Sequence, residues 1–433
     1  MRWVPVVLLS ISLAVPAAYA ADDGPGAIDR SRARTILKTV KSELQKHYYD
    51  PGFHGIDLEA RFKVAEEKIA AAGSLGQLMG IVAQYVIDLE DSHTRFLPPA
   101  TTVDVDYGWH IKMIGDRCVV TSVRKGSDAE AQGLRVGDVV IEAQGVQPTR
   151  ENLWKFFYLY EVLRPQPGLA AVVESPGQSP RKLQFKADVK QAKRVLDFTD
   201  ESGEDFWNLI RKAENEVQKH LVQEVGDVVV WMMPGFHIER RQVDRIMDMA
   251  RKRKALVIDM RGNPGGVIEV LQWMAAALFD RELKIADAKG RRETKPIATK
   301  RHREPFTGAV VALVDSESAS SAEVLSRLLQ LEKRGTVVGD RTAGAVMISR
   351  FHSYALGVDR IVPYGLTITE SDVIMSDGKS LERAGVSPDV ALLPTPTDIA
   401  AGRDPVLARA IELAGGKLDA IAAGKLFPKE RTE

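Results

Sequence analysis

Apolar residues recur at helical spacing between residues 29 and 97, which predicts a run of helices. The last of these runs, residues 78–89, is followed by the acidic, hydroxyl-rich turn E-D-S-H-T at residues 90–94. Such a turn can orient the imidazole of His93 through its polar neighbours. We therefore predict an N-terminal helical segment at residues 21–103 that carries His93.

Residues 104–190 alternate short apolar runs with glycine turns, which indicates strands. The sequence A-x-x-x-G-L-x-x-G-D at residues 129–138 resembles the PDZ domain. The resemblance implies a β-rich insert whose sheet edge binds an extended peptide. The usual glycine-rich carboxylate loop has no match here, so we expect peptide docking without carboxylate capture. The implied peptide-binding residues are Gly108, Trp109, His110 and Ile111.

Strands and helices alternate from residue 228 onwards. Residues 228–232 and 256–260 are predicted strands, and residues 241–253 and 267–279 are predicted helices. This alternation implies an α/β fold with a largely parallel sheet. The Lys- and Arg-rich residues 288–303 are predicted to be a solvated loop.

The remaining boundaries follow from composition. The charged residues 191–226 are predicted to be a connector, residues 227–400 the α/β core, and residues 401–433 a closing helix with a polar tail.

A serine-rich turn at residues 315–321 separates the apolar strand 310–314 from an amphipathic helix. Serines at a helix N-terminus suit hydroxyl-nucleophile catalysis, because the unpaired N–H groups there can stabilise an oxyanion. The same pattern also fits an ordinary serine N-cap. The candidate nucleophiles are Ser316, Ser318, Ser320 and Ser321.

Composition excludes several classes of protein. The 433 residues are 45% hydrophobic and 27% charged, which excludes a disordered chain and a multispan membrane protein. Lys plus Arg and Asp plus Glu both number 59, so no overall charge predicts nucleic-acid binding. No spacing of His, Glu and Asp suggests a metal site, since His93 with Asp91 is too sparse for zinc. No cofactor is predicted.

The first 20 residues have the pattern of a secretory signal peptide. Arg2 is followed by an apolar run at residues 6–15 and by the A-x-A cleavage pattern at residues 18–20. We predict export to a periplasmic or extracellular location, with no membrane span after cleavage; an uncleaved anchor is the alternative. Cys118, the single cysteine, excludes an intrachain disulfide and is expected to be buried.

Two motifs carry a resemblance to a known family. The motif L-V-I-D-M-R-G-N-P-G-G at residues 256–266, followed by S-E-S-A-S-S-A-E at residues 316–323, resembles the tail-specific, or C-terminal processing, protease superfamily. That group includes the tricorn core protease and has a crotonase-like fold. The order of helical segment, D-S-H-T turn, PDZ-like insert and α/β core extends the resemblance over nearly the whole mature chain.

The resemblance implies a catalytic set. Members with a Ser–Lys dyad have a lysine where this chain has Ala345, so the tricorn-like arrangement is implied: Ser320 as nucleophile, His93 as base and Glu382 as the group that orients it. A carboxylate bonded to the far ring nitrogen would fix the imidazole. The implied oxyanion donors are the N–H groups of Ser321 and of the Gly265–Gly266 turn.

Alternatives remain for each role. The S-x-x-E spacing to Glu323 selects Ser320 among the serines, and Glu323 itself is expected to be a first-turn helix residue. His110 and His237 are reserve candidates for the base, and Glu370 and Asp389 for the carboxylate.

The sequence therefore predicts an exported serine endopeptidase that acts on unfolded or C-terminal protein segments. Its expected partners are protein or peptide substrates and not nucleic acid; no oligomeric state is predicted. The alternative is a non-catalytic peptide- or ligand-binding protein on the same fold.

Overall fold

The computed structural model describes residues 24–99, 103–191, 219–292, 296–299, 304–357 and 362–427. The predicted signal peptide and most of the predicted connector lie outside these ranges. In the described ranges, no helix combines the length and apolar character needed to span a bilayer.

Three helices form the N-terminal segment, followed by a short strand: α1 (Ala27–His47), α2 (Leu58–Ala71), α3 (Leu75–Ile87) and β1 (Arg95–Leu97). Asp57 and Ser74 cap α2 and α3 by accepting backbone N–H groups of the first turn. The apolar faces of the helices share one buried cluster, which includes Leu37, Phe62 and Val82.

Seven strands and two short helices follow: β2 (Val103–Asp106), β3 (Trp109–Ile114), β4 (Arg117–Val123), α4 (Asp128–Ala131), β5 (Val139–Ala143), α5 (Leu153–Phe157), β6 (Gly168–Glu174), β7 (Arg181–Lys186) and β8 (Asp188–Gln191). A π-helical turn, Tyr158–Leu163, continues α5. β3 to β7 form an antiparallel sheet in sequential order, with β3 at one edge, and β2 pairs with β8. Cys118 is buried in the core of this sheet.

The next elements alternate strand and helix: β9 (Leu221–Val225), β10 (Val228–Met232), α6 (Arg240–Arg251), β11 (Ala255–Asp259), α7 (Ile268–Leu278), β12 (Leu283–Gly290), β13 (Ile297–Thr299), β14 (Ala309–Val314), α8 (Ser321–Leu331) and β15 (Thr336–Gly339). The last are β16 (Met347–Leu356), β17 (Val362–Met375), β18 (Val390–Ala391), α9 (Pro396–Ala400), α10 (Pro405–Leu413) and α11 (Ala420–Ala423).

A six-stranded sheet in the order β18-β15-β14-β11-β10-β9 forms the centre of the core. All neighbouring pairs are parallel except β10 with β9. Helices α6, α7 and α8 cover one face, where Val229 and Trp231 are buried, and α10 covers the other, where Val228 and Val230 are buried. Burial on both faces explains the uninterrupted apolar runs of these strands.

A second sheet joins the N-terminal helices to this core. It has the order β1-β17-β12-β13, and β16 also pairs with β17. Leu366 and Ile368 of β17 belong to the helical cluster, whereas Val373 and Met375 belong to the core cluster. The first half of the long strand β17 therefore packs against the N-terminal helices, and its second half packs against the core.

The prediction that residues 288–303 form a solvated loop is partly wrong. Residues 288–290 extend β12 and pair with β17, and Ile297–Thr299 forms β13. The reason is tertiary: β17 lies about 80 residues further along the chain, and local polarity carries no information about such a partner.

Replacing the buried Leu366 tests the packing of β17 against the N-terminal helices. Leu366→Ala should lower the free energy of unfolding by about 2–5 kcal/mol, because it leaves a cavity between β17 and the helices. Ile28→Ala, at a residue that is 68% exposed, should change it by less than about 0.5 kcal/mol. Urea denaturation followed by circular dichroism measures both, and equal effects would contradict the described packing.

Candidate active site

The glycine turn after β11 lies directly against Ser320. Gly265 has φ +95°, and a Cβ on it would lie 2.5 Å from the Ser320 Cβ. Gly266 has φ +137°. Only glycine allows both the backbone conformation and this close approach.

Ser320 has an unusual backbone conformation for a residue with a side chain. It immediately precedes α8 with φ 53° and ψ −120°. Its N–H donates to the carbonyl of Ala345 at 2.8 Å and to Glu323 Oε2 at 3.1 Å. Strain of this kind is held in place by the surrounding bonds and is concentrated at functional sites.

The competing serines have hydroxyls committed to backbone carbonyls. Ser318 is fully buried and donates to Met260 O at 2.7 Å. Ser316 donates to Met113 O, and Ser321 donates to Gly266 O at 3.1 Å. The geometry therefore favours Ser320, which is partly exposed, as the nucleophile.

Glu323 is a buried acceptor that fastens the next turn to α8. Its carboxylate is fully buried and accepts bonds from Thr342 Oγ1 and from the N–H groups of Ser320, Gly344 and Ala345, at 2.5–3.1 Å. Burial raises the pKa of Glu323 to about 7, against the effect of these donors. Glu323 therefore has a structural role. It lies in the first turn of α8, as predicted from the sequence.

The turn that carries His93 is fixed by Asp91. Its Oδ1 accepts the N–H groups of His93 and Thr94 at 2.8 and 2.9 Å and the hydroxyl of Thr369 at 2.7 Å. Thr369 belongs to β17, so this carboxylate ties the His93 turn to the second sheet.

Glu382 reaches His93 through Ser92 and not directly. The Ser92 hydroxyl donates to Glu382 Oε2 at 2.8 Å and lies 2.7 Å from His93 Nδ1. Because a hydroxyl has a single hydrogen, it must accept from Nδ1–H when it donates to the carboxylate. Nε2 of the neutral ring is then free to accept a proton. The direct carboxylate–imidazole bond expected from the sequence is thus replaced by a relay.

Sequence reasoning missed the role of Ser92. Its only signal was its position in the D-S-H-T turn beside His93, and a side-chain partner 290 residues away cannot be read from that spacing.

One peptide unit connects the two halves of the site. The carbonyl of Ala345 accepts the Ser320 N–H, and the next N–H, of Val346, donates to Glu382 Oε2 at 2.8 Å. The backbone that holds the strained serine is therefore the same backbone that holds the carboxylate of the relay.

The predicted oxyanion donors differ in availability. The Gly265 N–H donates to the side chain of the buried Asn263 at 2.8 Å, so it is already committed. Asn263 also donates to Met233 O, which fixes the turn. Gly266 and Ser321 remain the donor candidates, and the bond from Ser321 Oγ to Gly266 O holds their two segments together.

The site histidines have different surroundings. Burial lowers the pKa of His93 to about 4, opposed by the charge of Asp91, so the ring is neutral near pH 7. His237 is exposed and flanks Gly266, where a Cβ would lie 2.7 Å from its ring. His110 lies on β3, 3.4 Å from Glu317.

The reserve carboxylates have other partners. Glu370 pairs with Arg350 at 3.3 Å, and Asp389 accepts bonds from Gln330 and from the Val337 N–H.

The predicted peptide-binding residues lie along or beside the edge strand β3. Trp109 packs on Phe185, and Ile111 is buried in the core of the sheet. Gly108 has φ +72° and donates its N–H to Asp106 at 2.7 Å.

The far end of β3 contacts the serine loop. Met113 O accepts the Ser316 hydroxyl, and Lys112 pairs with Asp315 at 2.7 Å. This edge of the sheet therefore leads towards the segment that carries Ser320.

Comparison with known proteins finds similarity to one peptidase family and to several proteases. Residues 227–392 match the model of peptidase family S41. The chain is 25% identical over 396 residues to tricorn protease homolog 2 of Streptomyces coelicolor, covering 86% of this chain but only 31% of that protein. It is 26% identical over 382 residues to the chloroplastic C-terminal processing peptidase of Tetradesmus obliquus, covering 82% and 77% of the two chains. It is 21% identical over 388 residues to the carboxy-terminal processing protease CtpB of Bacillus subtilis, covering 88% and 71%.

Solved structures share the fold. Mature CPAF superposes with a TM-score of 0.67 at 16% identity, covering 86% of this chain and 95% of that one. The photosystem II D1 C-terminal processing protease gives 0.52 at 19% identity, covering 91% and 99%. Residues 227–392 thus match peptidase family S41, and the relatives to which the chain is similar over most of its length include C-terminal processing proteases.

Proposed function

We propose that this protein is an exported serine endopeptidase that cleaves unfolded or C-terminal segments of proteins, with Ser320 as nucleophile, His93 as base and Glu382 as the orienting carboxylate. The observation that carries the proposal is the relay Glu382–Ser92–His93, which shares the Ala345–Val346 peptide with the strained Ser320. Export rests on the signal-like residues 1–20.

The proposed chemistry follows from the tautomer that the relay sets. His93 Nε2 takes the proton of the Ser320 hydroxyl as Oγ attacks the scissile carbonyl carbon. The N–H groups of Gly266 and Ser321 receive the oxyanion. The imidazolium keeps its Nδ1–H on Ser92, whose hydroxyl stays on Glu382, and returns the other proton to the leaving amine. Water then hydrolyses the acyl-enzyme by the same proton transfers.

We further propose that residues 104–190 act as a PDZ-like module on a crotonase-like core. An extended substrate adding to the free edge of β3 would be directed towards the serine loop, because Met113 and Lys112 at the end of that strand already contact Ser316 and Asp315.

A non-catalytic binding protein is the competing function, favoured by Ala345 at the position of the dyad lysine. A fluorophosphonate probe separates the two, because it reacts with an activated serine and not with a serine cap. We expect labelling of the wild-type chain and of Ser316→Ala, and no labelling of Ser320→Ala. An unlabelled wild type that also leaves casein intact would support the binding protein.

The relay predicts a graded series of variants. His93→Ala should lower kcat by about 10³–10⁴-fold, because the base is removed. Ser92→Ala should lower kcat by about 10–100-fold with little change in KM, since the imidazole loses its link to Glu382. Ser92→Thr keeps the hydroxyl and should recover most of the activity. Steady-state kinetics on a peptide substrate measures all three.

Two results would contradict this series. Unchanged kcat in Ser92→Ala would remove Ser92 from the mechanism. A loss in His237→Ala as large as that expected for His93→Ala, with His93→Ala still active, would make His237 the base.

Burial of His93 also changes the expected pH profile. An imidazole with its ordinary pKa of about 6.5 would lose activity as the pH falls from 7 to 5. Because burial lowers the pKa of His93 to about 4, the neutral base persists, and kcat/KM should stay nearly constant from pH 8 to pH 5 and fall only near pH 4. A tenfold fall of kcat/KM between pH 7 and pH 5, in a chain that stays folded by circular dichroism, would contradict this assignment.

A further inference from the structure

A second cluster of ionisable side chains lies between α1 and β16. Glu43 and His47 are one helical turn apart on the same face of α1, and His352 projects from β16. Ligand atoms of all three residues lie within 4.8 Å of one another. The proposed catalytic residues form no part of this cluster.

His352 has an unsatisfied nitrogen. Within the described part of the chain, its Nε2 is among the buried side-chain atoms that have no hydrogen-bond partner. A buried polar atom without a partner costs free energy, so such an atom calls for a ligand, a water or an ion. The ring centroids of His352 and His47 are 5.0 Å apart, so a second imidazole lies beside this ring.

Glu43 is already held in place for ligation. Its side chain is only 14% exposed, and its Oε2 lies 3.5 Å from His47 Nε2. The Tyr354 hydroxyl donates to the same oxygen at 3.0 Å, which is the outer-sphere support that ligating carboxylates commonly have. Oε1 pairs with Lys46, whose side chain is 60% exposed and can move into solvent.

The spacing suits a small tetrahedral ion. Metal–ligand bonds of about 2.0–2.1 Å at tetrahedral angles place the ligand atoms about 3.4 Å apart. Glu43 and His47 are already 3.5 Å apart, and the His352 ligand atom lies within 4.8 Å of both, so a side-chain adjustment is needed to bring it to that distance. Two imidazoles and one carboxylate favour zinc over magnesium or calcium, which prefer oxygen ligands, and leave a fourth position for water.

We propose that Glu43, His47 and His352 form a binding site for a zinc-class divalent cation that fastens α1 to β16. His352 is paired in register with Leu366 of β17, and Leu366 is paired on its other side with Phe96 of β1. β1 begins two residues after His93. The ion therefore ties the first helix to the sheet on which the His93 turn is built.

Titration of the full chain, purified without a histidine tag and treated with chelator, tests the site independently of hydrolysis. We expect one equivalent of Co²⁺ to give the visible absorption of a tetrahedral centre, and Zn²⁺ to displace it. Zn²⁺ should also raise the melting temperature, because it binds the folded state only, whereas Mg²⁺ should not.

His352→Ala and Glu43→Gln should each weaken Zn²⁺ binding by about 100-fold or more, because each removes a ligand. The matched control is His54→Asn, since His54 is as exposed as His47 and lies outside the cluster. It should bind as the wild type does. The proposal is overturned if the wild type shows no saturable binding, or if both ligand variants bind Zn²⁺ as tightly as the control. Should His352→Ala fail to fold by circular dichroism, the near-isosteric Glu43→Gln decides.

Discussion

The hydrogen bonds to the buried carboxylate of Glu323 are the interaction on which the proposed catalytic region depends. Glu323 lies in the first turn of α8 without solvent contact, and its carboxylate accepts bonds from four donors, among them the N–H groups of Ser320 and Ala345. An isolated buried carboxylate would be strongly unfavourable, and the surrounding donors offset that cost. Because these donors belong to the serine turn and to residues 342–345, satisfying the carboxylate also fixes these two segments against each other.

From Glu323 the proposed site continues through the backbone of residues 345 and 346. Ala345, where the resemblance noted from the sequence would place a lysine in a Ser–Lys dyad, donates its N–H to Glu323 and accepts the Ser320 N–H with its carbonyl oxygen. The N–H of Val346 donates to Glu382, and Glu382 accepts the hydroxyl of Ser92, which lies beside His93. In the proposed mechanism, His93, Ser92 and Glu382 form the set of proton-handling groups.

The N-terminal segment can supply that set because β17 spans both hydrophobic clusters. Its first half packs with the helices and pairs with β1, and its second half packs with the core. Thr369, near its middle, bonds Asp91 and so positions the His93 turn. His352, a ligand of the proposed cation, lies on β16, the strand next to β17. The cation would therefore stabilise the same sheet that positions the His93 turn.

The sequence by itself determined the local elements and the chemical groups. The period of its apolar residues specified the helices and the parallel strands, and its motifs supplied the candidate residues Ser320, His93 and Glu382 and the glycine turn. Only the tertiary structure decided how these groups meet. It placed Ser92 between Glu382 and His93, paired residues 288–290 with β17 and brought His352 to Glu43. The physical reason is the same in each case: the partners lie on different segments, and their contact depends on packing that local spacing does not encode.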